Sequence, residues 1–313
     1  MSSMRIDVHQ HIWVEPLLDR LETRETLPFV RRSHGLTVLH SAGEQPYMID
    51  VEAEAGERRA RLVGQDAIDV ALVALSSAIG IEALPRGEAQ PLIDAHLEGV
   101  AALPDSFAAW GPVPLEEPDP RDVDRVLAAG CVGIALPAGA LCGAGALARS
   151  APLLRRVAAR GVPLFVHPGP APGGAQREAS LNEPLWWRPL THYVAEMQAA
   201  WLTFVTLGRR EHPGLAVIFA MLAGGAPLLS ERLHARGGPA IDLRDPLVFY
   251  DTSSFGPAAV ETLARRSGAA QLVYGSDRPV AEPVPTGREA LLAANGGQLF
   301  EHVRPRTVEA LAL

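Results

Sequence analysis

The chain contains no lysine, so all 28 of its lysine-plus-arginine positions are arginine. A lysine amine is needed to form a Schiff base, to bind phosphate in a phosphate-binding loop, or to become the carbamylated bridge between two metal ions. All three chemistries are therefore excluded. If the protein binds metal, the sequence favours a single ion over a lysine-bridged pair.

Cysteine is almost absent as well, with only Cys131 and Cys142 in 313 residues. Two cysteines at this spacing form neither a disulfide framework nor a paired zinc motif, which predicts ordinary thiols in a reducing compartment. The first apolar strand pattern begins near residue 5 and leaves no room for a signal peptide. We therefore expect a cytoplasmic protein.

The sequence also lacks a long apolar helix and an excess of positive charge. The uncharged stretch 130–148 contains Pro137 and several glycines, which suits a buried strand and its loop better than a membrane helix. A net charge of −8 argues against nucleic-acid binding. We expect a small-molecule substrate, with neither nucleic acid nor membrane as a partner.

Eight short apolar runs alternate with helical patterns along the chain. Such alternation predicts βαβ units and a parallel sheet. Eight strands are the number found in a closed (β/α)8 TIM barrel, which we predict as one domain over residues 1–313. The runs are 5–8, 70–75, 107–110, 131–135, 163–166, 215–220, 247–250 and 271–274.

Two connections, 12–51 after strand one and 168–210 after strand five, are too long for plain βα loops. Long ordered loops at a barrel mouth often carry function. In the second, Tyr193, Met197 and Trp201 have helical spacing, which predicts an extra packed helix. Trp186 and Trp187 precede that helix and are equally consistent with packing or with pocket walls.

Candidate metal ligands lie at three strand ends. His9 and His11 are two residues apart and therefore point to the same face of strand one, with Cα atoms roughly 6.6 Å apart. His167 ends strand five and Asp277 follows strand eight. Strand ends are where this fold places its chemistry, and three imidazoles with one carboxylate suit a divalent ion that keeps a position for water. We expect zinc or a similar divalent ion.

These motifs resemble those of the amidohydrolase superfamily, specifically its amidohydrolase-related branch. That branch includes aminocarboxymuconate-semialdehyde decarboxylase and pyrone-dicarboxylate lactonase. The resemblance covers essentially the whole chain and rests on residues 7–11, 165–168, 224–227 and 275–279. It implies that His9, His11, His167 and Asp277 hold one divalent metal and that Asp277 also handles a proton. It further suggests a homodimer.

The sequence departs from that branch at Met221. Relatives usually carry a histidine there, at the end of strand six, and a thioether cannot transfer a proton. Loss of a general base typically costs about 10²- to 10⁴-fold in rate, although a metal can itself lower the pKa of its bound water to about 7. His192, His34 and His40 lie in the two long connections and could replace it. We take His192 as the candidate second catalytic residue.

Candidate substrate-binding residues surround the predicted metal ligands. Arg278 follows Asp277 directly and Arg188 follows the tryptophan pair, so either guanidinium could bind a substrate carboxylate. A structural salt bridge is an equal alternative for Arg278. Ser253 could contact substrate or cap the next helix. The full candidate set is Trp13, Trp186, Trp187, Arg188, Met221, Ser253 and Arg278.

Three functions are consistent with these residues. The leading hypothesis is a mononuclear metal-dependent hydrolase of a small lactone, amide or ester, in which Asp277 accepts a proton from the attacking water. The alternative is a non-oxidative decarboxylase of a small aromatic or unsaturated acid, in which Asp277 delivers a proton. The third is a metal-bearing protein that binds a ligand without catalysis.

Overall fold

The computed structural model describes residues 4–173 and 183–303. Within these residues, eight strands form one parallel sheet and follow one another around it in chain order. All eight predicted strands are present, so the barrel prediction is confirmed. Each strand is buried because helices cover its outer face and side chains fill its inner face. The strands are β1 (Ile6–Gln10), β5 (Val70–Val73), β6 (Phe107–Pro112), β7 (Gly133–Pro137), β8 (Leu164–His167), β9 (Val217–Phe219), β10 (Val248–Asp251) and β11 (Leu272–Val273).

The barrel closes where β1 meets the segment after β11. The Val8 amide donates to the Tyr274 carbonyl at 2.9 Å, and the Asp277 amide donates to the His9 carbonyl at 2.8 Å. The His11 amide in turn donates to the Arg278 carbonyl at 2.7 Å. The first and last motifs of the sequence, separated by more than 260 residues, are therefore neighbours in the fold.

Helices follow most of the strands. Asp119 caps one of them by accepting a hydrogen bond from the Arg121 amide, and Gly161 ends another in the left-handed conformation. No helix in the described ranges is long and apolar enough to cross a membrane. The helices are α1 (Glu15–Glu22), α2 (Gly56–Gln65), α3 (Arg86–Ala101), α4 (Pro120–Ala128), α5 (Ala144–Arg160), α6 (Trp187–Thr203), α7 (Arg209–Glu211), α8 (Ser230–Ala235), α9 (Pro257–Ser267) and α10 (Glu289–Val303).

The long connection after β1 contains a second sheet that the sequence did not predict. Its three antiparallel strands are β2 (Phe29–Ser33), β3 (Leu36–His40) and β4 (Tyr47–Ile49). Val30, Leu39 and Ile49 bury one face of this sheet against the rest of the molecule. The connection is thus an ordered structure beside the barrel mouth.

The long connection after β8 contains α6, which continues through a π-helical turn into α7. Met197 and Trp201 are 0% and 1% exposed, so their predicted packing role is confirmed. Tyr193 is different, because its hydroxyl donates to Glu44 at 2.7 Å. Residues 174–182 of this connection lie outside the described residues.

A left-handed turn follows β9. Five successive residues, Met221 to Gly225, have positive φ angles between 51° and 74°. Only Gly224 and Gly225 adopt such angles without a Cβ penalty. The Gln198 side-chain amide of α6 donates to the Gly224 carbonyl at 2.8 Å, so this turn is the surface on which α6 docks.

Candidate metal centre

Three imidazoles converge at the carboxyl end of the barrel. β1 presents His9 and His11, and β8 ends at His167, so the geometry of the strands brings the rings together. The ring centroids are 4.9 to 5.0 Å apart and the ring planes are nearly perpendicular. One nitrogen from each ring lies within 4.8 Å of the others, and all three residues are buried. This is the arrangement of three ligands around one ion.

The hydrogen bonds of the rings fix which nitrogens face inward. Each Nδ1 lies against a carbonyl or carboxylate oxygen, and such an oxygen can only accept a hydrogen bond. Each Nδ1 therefore carries a proton, and in a neutral ring the lone pair is on Nε2, which faces the other two rings. The three contacts are His9 Nδ1 to Asp251 Oδ2 (2.5 Å), His11 Nδ1 to the Ala74 carbonyl (2.8 Å) and His167 Nδ1 to the Pro168 carbonyl (2.8 Å).

In neutral rings these lone pairs repel one another unless a proton or a metal ion lies between them. The Nε2 atoms of His9 and His11 are only 3.1 Å apart. Asp277 Oδ1 lies 3.4 Å from both of these nitrogens and adds a fourth, negatively charged donor. The donor set therefore fits a divalent metal ion.

Asp277 has a strained backbone and two differently placed oxygens. Its φ of 59° is left-handed, a conformation that is costly for a residue with a Cβ and that is often found at functional sites. Oδ1 faces the imidazoles, whereas Oδ2 lies 3.5 Å from the Ser254 hydroxyl. One oxygen can thus bind metal while the other exchanges a proton.

The ionisation of these groups suits a metal centre. Burial, and then the neighbouring imidazoles, hold the pKa of His167 well below its ordinary value, so this ring stays neutral. Burial would also lower the pKa of His9, but the charges of Asp251 and Asp277 raise it to about 9. Burial would raise the pKa of Asp277, but the imidazoles, His9 foremost, hold it below its ordinary value. The two carboxylates favour positive charge at the centre, and a bound ion would replace the His9 proton.

Asp251 orients His9 and was not identified from the sequence. It ends β10 and accepts a hydrogen bond from the Ser253 amide. A Cβ on Gly275 would lie 2.3 Å from Asp251 Oδ1 and 2.9 Å from His9 Cβ, so only glycine permits this contact. An acid at the end of an apolar strand was the available signal, but only the fold shows its partner.

Arg59 joins the two segments that carry the ligands and was also missed. From α2, its buried guanidinium donates to the His11 carbonyl at 2.9 Å and to the Arg278 carbonyl at 3.2 Å. Glu54 balances the charge of Arg59, with its Oε2 3.1 Å from Arg59 Nη1, and it also accepts a hydrogen bond from the Trp13 amide. These contacts cross the closing seam of the barrel directly beside the candidate ligands.

A cavity of about 720 Å³ lies among loops that follow the barrel strands, at the end of the barrel that carries the candidate ligands. Its wall includes Trp13, two residues after His11, and Val280, three residues after Asp277. The three histidines do not themselves line it. Burial, then the charges of Glu54 and Asp277, raise the pKa of Tyr47, so this lining phenol lies within electrostatic reach of the centre. Tyr47 is a further candidate that the sequence did not single out.

The predicted substrate-binding residues separate into two groups. Trp13, Trp186 and Arg188 line the cavity. Trp187 is 43% exposed at the start of α6, with its ring centroid 5.8 Å from that of Trp186, and is not among the lining residues.

The remaining three also lie off the cavity wall. Arg278 directs its guanidinium toward Asp66 and Glu282, at 3.4 and 3.3 Å, which is the salt-bridge arrangement. Ser253 is buried beside Asp251, and Met221 is half-buried in the left-handed turn.

His192 is the best placed of the alternative histidines. Its Nε2 lies 3.0 Å from Glu196 Oε1 on α6, and Glu196 Oε2 accepts from the Gly169 amide, two residues after His167. His34 is at the exposed turn between β2 and β3. His40, at the end of β3, stacks on Phe29 of β2. None of the three belongs to the histidine cluster found among the described residues.

No family model matches the chain, and no curated protein sequence matches it. Solved structures do. A 5-carboxyvanillate decarboxylase from Novosphingobium aromaticivorans, complexed with manganese and 4-hydroxy-3-methoxy-5-nitrobenzoic acid, has a TM-score of 0.70 at 18% identity over 96% of each chain. A 2,6-dihydroxybenzoate decarboxylase from Rhizobium has 0.64 at 17% identity, covering 96% of this chain and 99% of that one.

A 4-oxalomesaconate hydratase from Rhodopseudomonas palustris has a TM-score of 0.66 at 14% identity, covering 99% of this chain and 98% of that one. These identities are low, but the shared architecture spans almost the whole of each chain. The predicted resemblance is confirmed at the level of the fold: the chain has the (β/α)8 barrel of amidohydrolase-superfamily enzymes.

Proposed function

We propose that the protein is a metal-dependent, non-oxidative decarboxylase of a small aromatic or unsaturated acid. The observation that carries the proposal is the buried centre of His9, His11 and His167 with Asp277, next to a large cavity with apolar walls. Two of the similar structures described above are decarboxylases of substituted benzoic acids, which supports this reaction over the hydrolysis that the sequence first favoured.

The three histidines and Asp277 would hold one divalent ion. Three imidazoles with one carboxylate favour zinc, while the manganese in the 5-carboxyvanillate decarboxylase structure makes manganese the second candidate. When bound, the ion would supply positive charge for the substrate carboxylate or a neighbouring hydroxyl. Metal analysis of the purified protein distinguishes the two ions.

Asp277 supplies the proton. The bond between the substrate carbon and its carboxylate breaks, carbon dioxide leaves, and the electron pair stays on the carbon. Because Asp277 is ionised before the reaction, its Oδ2 first takes up a proton from solvent. That proton then takes the place of the carboxylate on the carbon, and Asp277 is left ionised again. The arrangement of Oδ1 toward the imidazoles and Oδ2 toward Ser254 is consistent with this division of roles.

His192 assists proton exchange in this proposal. Glu196 holds the ring through Nε2 and is itself held by the Gly169 amide, so the pair is tied to the strand end that carries His167. Its partial exposure gives it access to solvent. We therefore assign His192 the reprotonation of Asp277, with Glu196 as its positioning residue.

Hydrolysis is the second candidate because Asp277, which lies close to the imidazoles, would accept a proton from an attacking water that a bound ion would activate. Met221 offers no base for that reaction, and its half-buried thioether lies in the left-handed turn. Decarboxylation needs no activated water, so the absence of a histidine at this position is less costly for it.

Carboxyl-labelled acids test the proposal. The metal-loaded protein is incubated in D₂O with [¹³C]carboxyl 2,6-dihydroxybenzoate, 4-hydroxybenzoate and related acids. We expect ¹³CO₂ release and one deuterium in the product at the vacated carbon. Asp277→Asn should lower the rate about 10²- to 10⁴-fold, as expected for loss of a proton-transfer group.

The alternatives give different results. Turnover of a lactone, amide and ester panel without ¹³CO₂ release would identify a hydrolase. Tight ligand binding without turnover in the metal-loaded sample would identify a binding protein. If His192→Asn reacts at the wild-type rate, His192 has no part in the mechanism.

A further inference from the structure

Among the described residues, one cation lines the cavity, and an acid already balances its charge. Of the residues described around the cavity, Arg188 alone carries positive charge, while Glu44 and Glu183 are acidic. Arg188 Nε lies 2.5 Å from Glu44 Oε1, and one of its terminal nitrogens donates to the Gly43 carbonyl at 2.5 Å. The Tyr193 hydroxyl also donates to Glu44 Oε1, at 2.7 Å.

This pair is shielded from water. The Arg188 and Glu44 side chains are 19% and 21% exposed, so the ion pair is not an exposed surface contact that solvent screens fully. A second substrate carboxylate that approached Arg188 would meet a guanidinium whose charge Glu44 already balances, in a wall where Glu183 adds a further negative charge. Removing one partner of a shielded pair is costly.

Most of the rest of the wall is apolar. Trp13, Leu39, Met48, Ile79 and Trp186 present hydrocarbon or aromatic surface to the cavity. Such a wall buries an uncharged ring or chain favourably. A carboxylate that reached it would lose water and would find no cation among the described lining residues whose charge is unbalanced.

We propose that Glu44 determines substrate class: by occupying Arg188 it makes the cavity selective for an acid with a single carboxylate and an apolar body, and against an acid with a second carboxylate at its far end. This rests on the proposed function, because the single carboxylate is the one held at the metal centre. Glu44 and Arg188 are thus a specificity device rather than an anion site.

Two matched pairs of unreactive acids test the inference by binding alone. Benzoate is compared with terephthalate, and biphenyl-4-carboxylate with biphenyl-4,4′-dicarboxylate, by calorimetry on the metal-loaded protein. We expect the wild type to bind each monoacid at least 10-fold more tightly than its diacid partner. Glu44→Gln keeps an oxygen for the Tyr193 hydroxyl but frees Arg188, so it should lower that ratio at least 10-fold for a diacid long enough to reach the arginine.

Glu183→Gln is the matched control. It removes the same charge from the same wall but leaves Arg188 paired, so the wild-type ratio should persist. If Glu44→Gln weakens both acids of a pair equally, the Glu44–Arg188 contact is only a structural link between two loops and the proposal fails. Equal wild-type binding of monoacid and diacid also overturns it, and that measurement needs no variant to fold.

Failure of this proposal and failure of the proposed function are distinguishable. An unchanged ratio in Glu44→Gln alongside ¹³CO₂ release rejects the specificity device and keeps the decarboxylase. The expected ratios without ¹³CO₂ release from any acid keep the device and reject decarboxylation. If the metal-loaded wild type binds none of the four acids, the carboxylate-binding assignment fails and this proposal fails with it.

Discussion

At the scale of single residues, Asp251 shows how a group outside the ligand set controls the centre. Its contact with His9 Nδ1 fixes the tautomer that directs Nε2 inward. Asp251→Ala removes this acceptor, and outer partners of this kind typically contribute about 10- to 100-fold to metal affinity. We expect a loss of that size, measured by competition with a chelator.

A matched control separates this effect from a general loss of acidic charge. Asp124 lies on α4 and pairs with Arg156, far in sequence from any candidate ligand. Asp124→Ala should leave metal affinity unchanged. If Asp251→Ala retains wild-type affinity, the assignment of Asp251 as the orienting residue of His9 is wrong.

Glu82 is a buried acid outside the centre and should make stability depend on pH. It is 0% exposed, its described hydrogen-bond partner is the Ser77 hydroxyl, and burial raises its pKa from 4.5 to about 7. Between those values the folded state keeps a proton that the unfolded state has lost. The free energy of unfolding therefore falls as pH rises through this window, by about 3 kcal/mol in all.

Glu82→Gln removes this ionisation and should flatten that part of the curve. The measurement is urea unfolding from pH 4.5 to pH 8, with the variant compared to wild type at each pH. Glu98→Gln, an exposed change on α3, should follow the wild-type curve. Parallel curves for Glu82→Gln and wild type would contradict the prediction.

At the scale of structural elements, the left-handed turn after β9 determines where α6 lies. A Cβ on Gly224, whose φ is 61°, would lie 2.8 Å from the Val194 carbonyl oxygen of α6. Gly225 has a φ of 74° and nothing within 4 Å. Both Gly→Ala changes carry a backbone cost of about 1–2 kcal/mol, but only Gly224→Ala adds a clash.

We therefore expect Gly224→Ala to lower the free energy of unfolding by about 1–3 kcal/mol more than Gly225→Ala, the usual cost of overpacking. Because α6 carries His192 and Tyr193, Gly224→Ala should also lower the rate of the proposed reaction. Denaturant unfolding and steady-state assays on the two variants measure both effects. Equal stabilities would show that the turn does not constrain α6.

At the scale of the whole molecule, the barrel and the convergence of His9, His11 and His167 were predictable because both follow from local signals. Buried parallel strands appear as short apolar runs, and His9, His11, His167 and Asp277 lie directly at strand ends. The small sheet of β2 to β4 was not predictable, since its strands are short, β2 ends in two arginines and a serine, and only tertiary pairing defines them.

The partners of the ligands were not predictable for a related reason. Asp251 and Arg59 act on residues far away in the sequence, and nothing in their own neighbourhoods indicates the contact. The left-handed backbone of Met221 could not be foreseen, because this residue lies in a run of apolar residues.

Closure of the barrel depends on the same buried arginine that supports the centre. Arg59 donates to carbonyls of both β1 and the segment after β11, and its charge is balanced by Glu54. Arg59→Met would leave a buried carboxylate and two carbonyls without their donor. Breaking a buried pair in this way costs about 3–5 kcal/mol, and we expect that loss in the free energy of unfolding.

The loss should be largest at the closing seam. Hydrogen exchange of the His11 and Asp277 amides, which pair across it, should accelerate more than exchange within β7 and β8. Arg59→Lys keeps the charge but not the forked donors, so its free energy of unfolding should lie between those of wild type and Arg59→Met. Arg125→Met is the control, because Arg125 is 37% exposed and its bond to Asp94 contributes little. Stability of Arg59→Met within about 1 kcal/mol of wild type would show that strand pairing alone closes the barrel.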